Sequence, residues 1–125
     1  MLNQLSAFEL IEGIGDKKFS SVEVAEAFVE QVEKRDADVN AFLRFDPSYV
    51  LDQAKAFDQK HSSNTAFGSL SGIPVAVKDV ICVKGQVTSC ASKMLEHFVS
   101  PYDATLIEKI KRADGILLGT TNMDE

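Results

Sequence analysis

The stretch Ile73-Pro74-Val75-Ala76-Val77-Lys78-Asp79 combines a short apolar run with a charged pair at its end. Residues 73–77 have the length and composition of a buried β-strand. A second apolar run, Ile116-Leu117-Leu118-Gly119, follows a segment that predicts a helix. Strand, helix and strand in this order, each strand apolar along its length, are typical of parallel pairing in an α/β sheet. The sequence therefore predicts an α/β fold whose sheet has two or three strands.

The first sixty residues predict helices that precede this sheet. Capping-box patterns begin at Ser6 and at Ser20, each with a glutamate three residues later. Asp46-Pro47 has the form of a third helix start, because proline is favoured at the first helical position. Residues 41–45 predict a short strand between the second and third helices. The apolar positions expected to be buried are these: Val22, Ala25, Phe28, Val29 and Val32 in the second helix, and Val50, Ala54 and Phe57 in the third.

The segments around the sheet carry three further expectations. Residues His61–Thr65 have the composition of a surface loop, so we expect His61 to be solvated. The connection from Val80 to Tyr102 is long for a loop but contains Ile81, Val83, Met94, Leu95 and Phe98, so we expect it to be ordered. Asp103 or Thr105 is expected to cap a helix carrying Leu106, Ile107 and Ile110, with Glu108 completing a capping box.

Composition excludes several classes of protein. The chain has 125 residues and a net charge of −6, which argues against a surface that binds nucleic acid. Its apolar runs are shorter than the roughly 18 residues of a membrane span, and its N-terminus lacks a secretory or transit pattern, so we expect an intracellular protein. Cys82 and Cys90 are expected to be half-buried free thiols rather than zinc ligands with His97.

Lys78 is the strongest candidate for chemistry. Ligands of α/β sheets bind beyond the carboxyl ends of the strands, where Lys78 is predicted to lie. Partial burial there would favour the neutral amine, which can act as a base. The residues alone leave a second interpretation open, in which Lys78 and Asp79 are simply the polar end of a strand. Thr88, Ser89, Ser92 and Cys90 lack a recognisable activating motif.

Several motifs together resemble the amidase signature family. They are Gly72–Asp79, Thr88–Glu96, Pro101–Thr105 and Thr121–Glu125, with Ser20–Glu23 and Val39–Phe42 near the N-terminus. The string Cys90–Glu96 and the final Met123-Asp124-Glu125 are most similar to the branch formed by the A subunits of glutamyl-tRNA(Gln) amidotransferases. Two positions depart from the family pattern: Val80 stands where asparagine usually follows Lys-Asp, and Thr120 stands where lysine is common.

The resemblance implies a Ser–cis-Ser–Lys triad with Lys78 as its lysine. In the family both serines lie in a Gly/Ser-rich region that follows the motif at Asn122-Met123, so the resemblance implies that this chain lacks them. We therefore expect residues 1–125 to be the N-terminal part of a single amidase signature domain. Residues 1–60 would be its helical segment and residues 61–125 the start of a mixed-sheet α/β core, incomplete in this chain and inactive alone.

For the intact protein, the resemblance implies release of ammonia from glutamine. The B and C subunits of the amidotransferase would be its partners in a heterotrimer. The B subunit would use the ammonia, with ATP and magnesium, to convert Glu-tRNA(Gln) to Gln-tRNA(Gln). The C subunit would hold the A and B subunits together. No cofactor or metal site is expected in this chain, and the compartment implied is the bacterial cytoplasm or an organellar matrix. Two alternatives remain open: part of a stand-alone amidase for small amides or peptides, and a non-catalytic interaction module.

Overall fold

The computed structural model describes residues 1–63 and 66–123. Within this range the helices are α1 (Ala7–Gly15), α2 (Ser21–Val39), α3 (Pro47–Lys60) and α4 (Thr105–Arg112), and the strands are β1 (Phe42–Arg44), β2 (Pro74–Lys78) and β3 (Ile116–Thr121). Two parts of the sequence analysis, Asn64-Thr65 of the expected loop and Asp124-Glu125 of the final motif, lie outside the described residues. None of the helices in the described range is long and apolar enough to span a bilayer.

The three strands form one mixed sheet in the order β1-β3-β2. Strand β2 runs parallel to β3, with Val75 opposite Leu117 and Lys78 opposite Thr121. Strand β1 pairs antiparallel with the end of β3, where Phe42 lies opposite Thr121. The predicted α/β fold and the parallel pairing of its two apolar strands are confirmed, and so is the short strand within residues 41–45.

A side chain completes the edge of β3 where β1 does not reach. The Gln53 amide of α3 donates through Nε2 to the carbonyl oxygen of Leu117 at 3.0 Å. Its Oε1 accepts from the N–H of Leu117, also at 3.0 Å. One side chain thus satisfies both polar groups of a buried residue, as a neighbouring strand would.

Apolar side chains form two clusters on the sheet. The larger cluster joins α1, α2 and α3 to Ile73, Ile116 and Leu118. The smaller one joins Ile107 and Ile110 of α4 to Val77, Val83 and Leu117. The expected core positions Ala25, Val29, Val50, Ala54 and Phe57 are buried. Val22, Phe28 and Val32 are only half-buried, and Val24, which was not among the expected positions, is fully buried. The helical periodicity of the sequence therefore identified the buried face of α3 correctly and that of α2 in part.

The N-terminus of α2 is held by two independent caps. Ser20 and Glu23 form the predicted capping box, as Ser6 and Glu9 do for α1. In addition, the Asp58 carboxylate of α3 accepts from the N–H groups of Ser21 and Val22, both at 3.0 Å. These bonds satisfy N–H groups that a helix start otherwise leaves open, and they tie α2 to α3.

The predicted start of α4 was wrong. Ala104 is the N-cap residue and makes no capping bond through its side chain, while Thr105 is already the first helical residue. Asp103 instead accepts from the N–H of Lys84 and from the Lys111 ammonium, each at 2.7 Å. The carboxylate therefore fastens a loop and the end of α4 rather than its first turn. Of the apolar residues on this helix, Ile107 and Ile110 are buried, whereas Leu106 is 50% exposed.

The expectation that His61 is solvated was also wrong. Its ring is buried between Phe57 and Phe67, with centroid distances of 4.5 Å and 5.0 Å. Its Nε2 lies 3.3 Å from a carboxylate oxygen of Asp114, which precedes β3. His61 follows α3 directly, so the helix carries its ring inward although its neighbours in sequence are polar.

We predict that Asp58→Ala lowers the free energy of unfolding by about 1–2 kcal/mol, the usual cost of losing a helix cap. Urea unfolding followed by circular dichroism measures this change. Asp52→Ala on the same helix is the matched control, because the Asp52 side chain is 77% exposed and only 4.0 Å from Lys55. Equal effects of the two substitutions would contradict a capping role for Asp58.

Candidate active site at the carboxyl end of β2

Lys78 lies where the sequence predicted it. It is the last residue of β2 and pairs with Thr121, the last residue of β3. Its side chain is half-buried. Because the two strands are parallel, the chain segments that follow them leave the sheet side by side, at the edge where α/β proteins bind ligands.

The next residue, Asp79, is completely buried, at 0% exposure. Its carboxylate accepts from the N–H of Ser89 at 3.1 Å, from the Ser89 hydroxyl at 2.5 Å and from the N–H of Ala91 at 2.9 Å. It also forms an ion pair with the guanidinium of Arg44 in β1. The carboxylate therefore joins three segments that are far apart in sequence.

The backbone around Asp79 strengthens this junction. Its N–H donates to Thr121, which continues the pairing with β3, and its carbonyl oxygen accepts from Cys90 at 3.2 Å. Cys90 and Ala91 have φ values of 49° and 52°, in the left-handed region that costs non-glycine residues about 1–3 kcal/mol each. Hydrogen bonds to Asp79 from residues 89–91 hold this unfavourable turn in place.

The hydrogen bonds keep Asp79 ionised. Burial by itself raises the pKa of the carboxyl group, but it is outweighed by the Ser89 hydroxyl, the N–H groups of Ala91 and Ser89, and the charge of Arg44. The pKa of Asp79 consequently lies below its ordinary value of 3.8. At neutral pH the site therefore contains a buried carboxylate anion, and both of its oxygens accept hydrogen bonds from protein groups.

Arg44 borders a cavity of about 660 Å³ beside the sheet. Residues 43–46 and Tyr49 form one wall, residues 83–87 form the other, and Val77 and residues 117–120 form the floor. Lys78 is not one of the lining residues. Since adjacent strand residues project to opposite sides, this cavity and the lysine belong to different faces of β2.

The long connection is ordered, as expected, although its apolar residues do not all enter the core. Val87 bridges to Val99, and Thr88 donates to the carbonyl oxygen of Phe98 at 3.0 Å. Val83 is buried, whereas Met94 is 94% exposed and Leu95 and Phe98 are also exposed. Order here comes from backbone bonds and from Asp79 rather than from burial of the whole segment.

Of the remaining candidates from the sequence, Cys90 belongs to this network through its N–H, and the others make different contacts. Cys82 and Cys90 are half-buried free thiols, as predicted. The His97 side chain is 93% exposed and lies near Glu96. Ser92 accepts from the N–H of Met94 and so caps a 3₁₀ turn, Lys93–Leu95. Of the two family departures, Val80 is 49% exposed and Thr120 is buried.

Sequence reasoning missed the partners of Asp79. Arg44 and Ser89 are 35 and 10 residues away from it, so no local pattern connects them.

Among residues 1–63 and 66–123, no three histidine, cysteine or acidic side chains are arranged to hold a metal ion.

Comparison with known proteins identifies relatives. A family model described as Amidase matches residues 23–125. The A subunit of the Coxiella burnetii glutamyl-tRNA(Gln) amidotransferase is 43% identical over 124 residues, which are 99% of this chain and 26% of that protein. The chain thus spans about a quarter of the length of the curated relatives it matches.

Solved structures agree with the sequence comparison. One belongs to a vestigial protein complex linked to the evolutionary origins of an s-triazine catabolic enzyme. It has a TM-score of 0.91 and 30% identity, over 97% of this chain and 27% of the solved chain. The peptide amidase of Stenotrophomonas maltophilia has a TM-score of 0.88 and 25% identity, over 98% and 25% of the two chains. The predicted mixed α/β architecture of the amidase signature enzymes is confirmed, and the chain covers about a quarter of these solved chains.

We predict that Asp79→Asn lowers the free energy of unfolding at neutral pH by about 2–4 kcal/mol, because it leaves Arg44 without its partner and disturbs the donors of residues 89–91. An acid whose pKa is lower in the folded state than in the unfolded state stabilises the fold. This contribution to the free energy of unfolding is complete above the unfolded-state pKa and is lost as the pH falls through the folded-state pKa. The difference in the free energy of unfolding between wild type and Asp79→Asn should therefore decrease below about pH 4. Urea unfolding across this range measures it, and a constant difference would contradict the role of the charge.

Proposed function

The chain belongs to the Amidase family, and from this premise we propose that it forms part of the A subunit of a glutamyl-tRNA(Gln) amidotransferase. In this proposal residues 1–125 are the N-terminal part of one amidase signature domain. Residues 1–60 form its helical segment and residues 61–125 start its α/β core. The 43% identity to a relative of that name supports this choice within the family.

Lys78 would be the base of the reaction. As a neutral amine it would withdraw a proton, through a bridging serine, from a nucleophilic serine that attacks the amide carbon of glutamine. Ammonia would leave, and water would release glutamate from the acyl-enzyme. Both serines would belong to residues beyond those of this chain.

One observation carries the proposal: the ends of β2 and β3 lie side by side. Lys78 pairs with Thr121, and the chain leaves β3 through Asn122 and Met123. A continuation of the chain from this point begins at the same edge of the sheet as the lysine. Serines that follow Met123 within one loop could therefore reach the Lys78 amine.

The negative charge of the chain favours a complex in which another subunit binds the tRNA. With a net charge of −6, the chain is poorly suited to neutralise phosphates. We propose that the B and C subunits complete a heterotrimer, that the B subunit holds the Glu-tRNA(Gln) and uses ATP and magnesium, and that this chain supplies no cofactor or metal ligand. The bacterial cytoplasm or an organellar matrix would be the matching compartment.

A stand-alone amidase is the second candidate. In this alternative the enzyme would hydrolyse small amides or peptides without protein partners, and the likeness to a peptide amidase, with a TM-score of 0.88, supports it. Co-purification with the B and C subunits would favour the first candidate, and hydrolysis of a peptide amide by the isolated protein would favour the second. A non-catalytic interaction module would do neither.

The reading frame is the first test of the proposal. We expect the gene to continue past codon 125 into a Gly/Ser-rich segment that contains two serines. A stop codon at that position would leave Lys78 without a nucleophile and would favour the interaction module.

We predict that Lys78→Ala, in the longest polypeptide that the gene encodes, lowers glutamine hydrolysis about a thousandfold or more. The loss follows from removal of the base, and release of ammonia measures it. Lys93→Ala is the control, because Lys93 is exposed on the 3₁₀ turn. The 125-residue chain alone should release no ammonia. Equal activity of the Lys78 and Lys93 variants would refute the assignment of the base.

A further inference from the structure

Strand β2 forms one side of the sheet, whose order is β1-β3-β2. The carbonyl oxygen of Ile73, directly before β2, and the N–H of Asp79, directly after it, both bond to β3. The N–H and C=O groups of successive strand residues point to alternate sides of the strand. Ala76 lies three residues from each of these two, so its N–H and its carbonyl oxygen point away from β3. The register irregularity of this strand pair adds a residue to β3 and leaves β2 regular.

Comparable backbone groups elsewhere in the sheet have side-chain partners. Gln53 completes the edge of β3 at Leu117. At the start of β1, the Asp36 carboxylate of α2 accepts from the N–H of Ala41 at 2.7 Å. Ala76 differs from them: it is exposed, and in the described part of the chain its backbone makes no hydrogen bond outside the ladder with β3. The outer side of β2 is therefore an open sheet edge.

The sequence of β2 is typical of a strand inside a sheet rather than at its edge. Val75, Ala76 and Val77 form an uninterrupted apolar run, as in parallel strands that are covered by the rest of their fold. Edge strands are commonly protected by a charge, a proline or a bulge. In β2 the proline is the first residue, a position that interior strands also accept, and the lysine is the last. The middle of this edge has no such protection.

We infer that the open edge of β2 is the docking site of a further strand, and that this strand comes from the same polypeptide, beyond residue 125. This rests on the proposed function in one respect, namely that the chain is the N-terminal part of a longer domain. The matched relative from Coxiella burnetii is long enough to supply the strand, because this chain spans 26% of it. The docked strand would bond to the N–H and the carbonyl oxygen of Ala76.

The position of the chain at residue 122 favours this occupant. The chain leaves β3 through Asn122, at the end of the sheet where β2 also ends. A strand on the far side of β2 would lie two strand spacings from β3, about 10 Å away. A second copy of the chain is a poorer occupant, because each copy carries a net charge of −6 and the two would repel each other.

Amide hydrogen exchange of Ala76 measures the pairing directly, in the longest polypeptide that the gene encodes. If a strand docks on β2, the N–H of Ala76 should exchange within about tenfold of the rate of Val77, whose N–H faces β3. If the edge stays open, Ala76 should exchange as fast as the exposed Lys93. The measurement is repeated over an about hundredfold range of protein concentration, because association of two copies depends on concentration.

Proline substitutions distinguish the two sides of β2 in the same polypeptide. Ala76→Pro removes the N–H that points away from β3, which an edge strand tolerates and an interior strand does not. It should lower the urea midpoint about as far as Val75→Pro, which removes an N–H that faces β3. Ala76→Ser keeps the N–H and is the matched control, expected to unfold near the wild-type midpoint. Exchange is measured on the wild type, so it decides the question even if neither proline variant folds.

Slow exchange of Ala76 that does not depend on concentration supports the inference. Fast exchange, a wild-type midpoint for Ala76→Pro, protection that is lost on dilution, or protection that appears only when the B and C subunits are added would each overturn it. The proposed function fails separately, if Lys78→Ala retains glutamine hydrolysis while Ala76 is protected. A reading frame that stops after codon 125 would overturn both, whereas fast exchange in a longer, active polypeptide would overturn the inference alone.

Discussion

A buried carboxylate must find donors within the protein, and Asp79 imposes this requirement at the carboxyl end of β2. Its donors come from β1 and from residues 89–91, which are otherwise separate parts of the chain. Leaving a buried charge without them costs several kcal/mol. The position of β1 and the turn at Cys90 and Ala91 are therefore fixed together.

Two other polar side chains join separate parts of the fold in a similar way, without burying a full charge. Asp58 joins α2 to α3 by accepting from two N–H groups at a helix start, and Gln53 completes the edge of β3 at Leu117. Each side chain replaces a backbone partner that local structure does not provide. With only three strands in the described range, such bonds do much to hold the helices against the sheet.

Local patterns in the sequence predicted most of the elements but little of the polar network. The capping boxes at Ser6 and Ser20 and the apolar strands could be recognised because their signals span only a few residues. His61 and Asp103 were misread because tertiary contacts overrode local composition. Lys78 was found as a candidate because it ends an apolar strand, whereas Arg44 and Ser89 gave no comparable signal, since their roles depend on contacts across 35 and 10 residues.

Amide hydrogen exchange of residues 88–95 tests most directly whether Asp79 organises this site. The N–H groups of Ser89 and Ala91 donate to its carboxylate. The account predicts that both exchange as slowly as the paired amides of β3, and much more slowly than the N–H of the exposed Lys93. Exchange of Ser89 and Ala91 at the rate of Lys93 would contradict it.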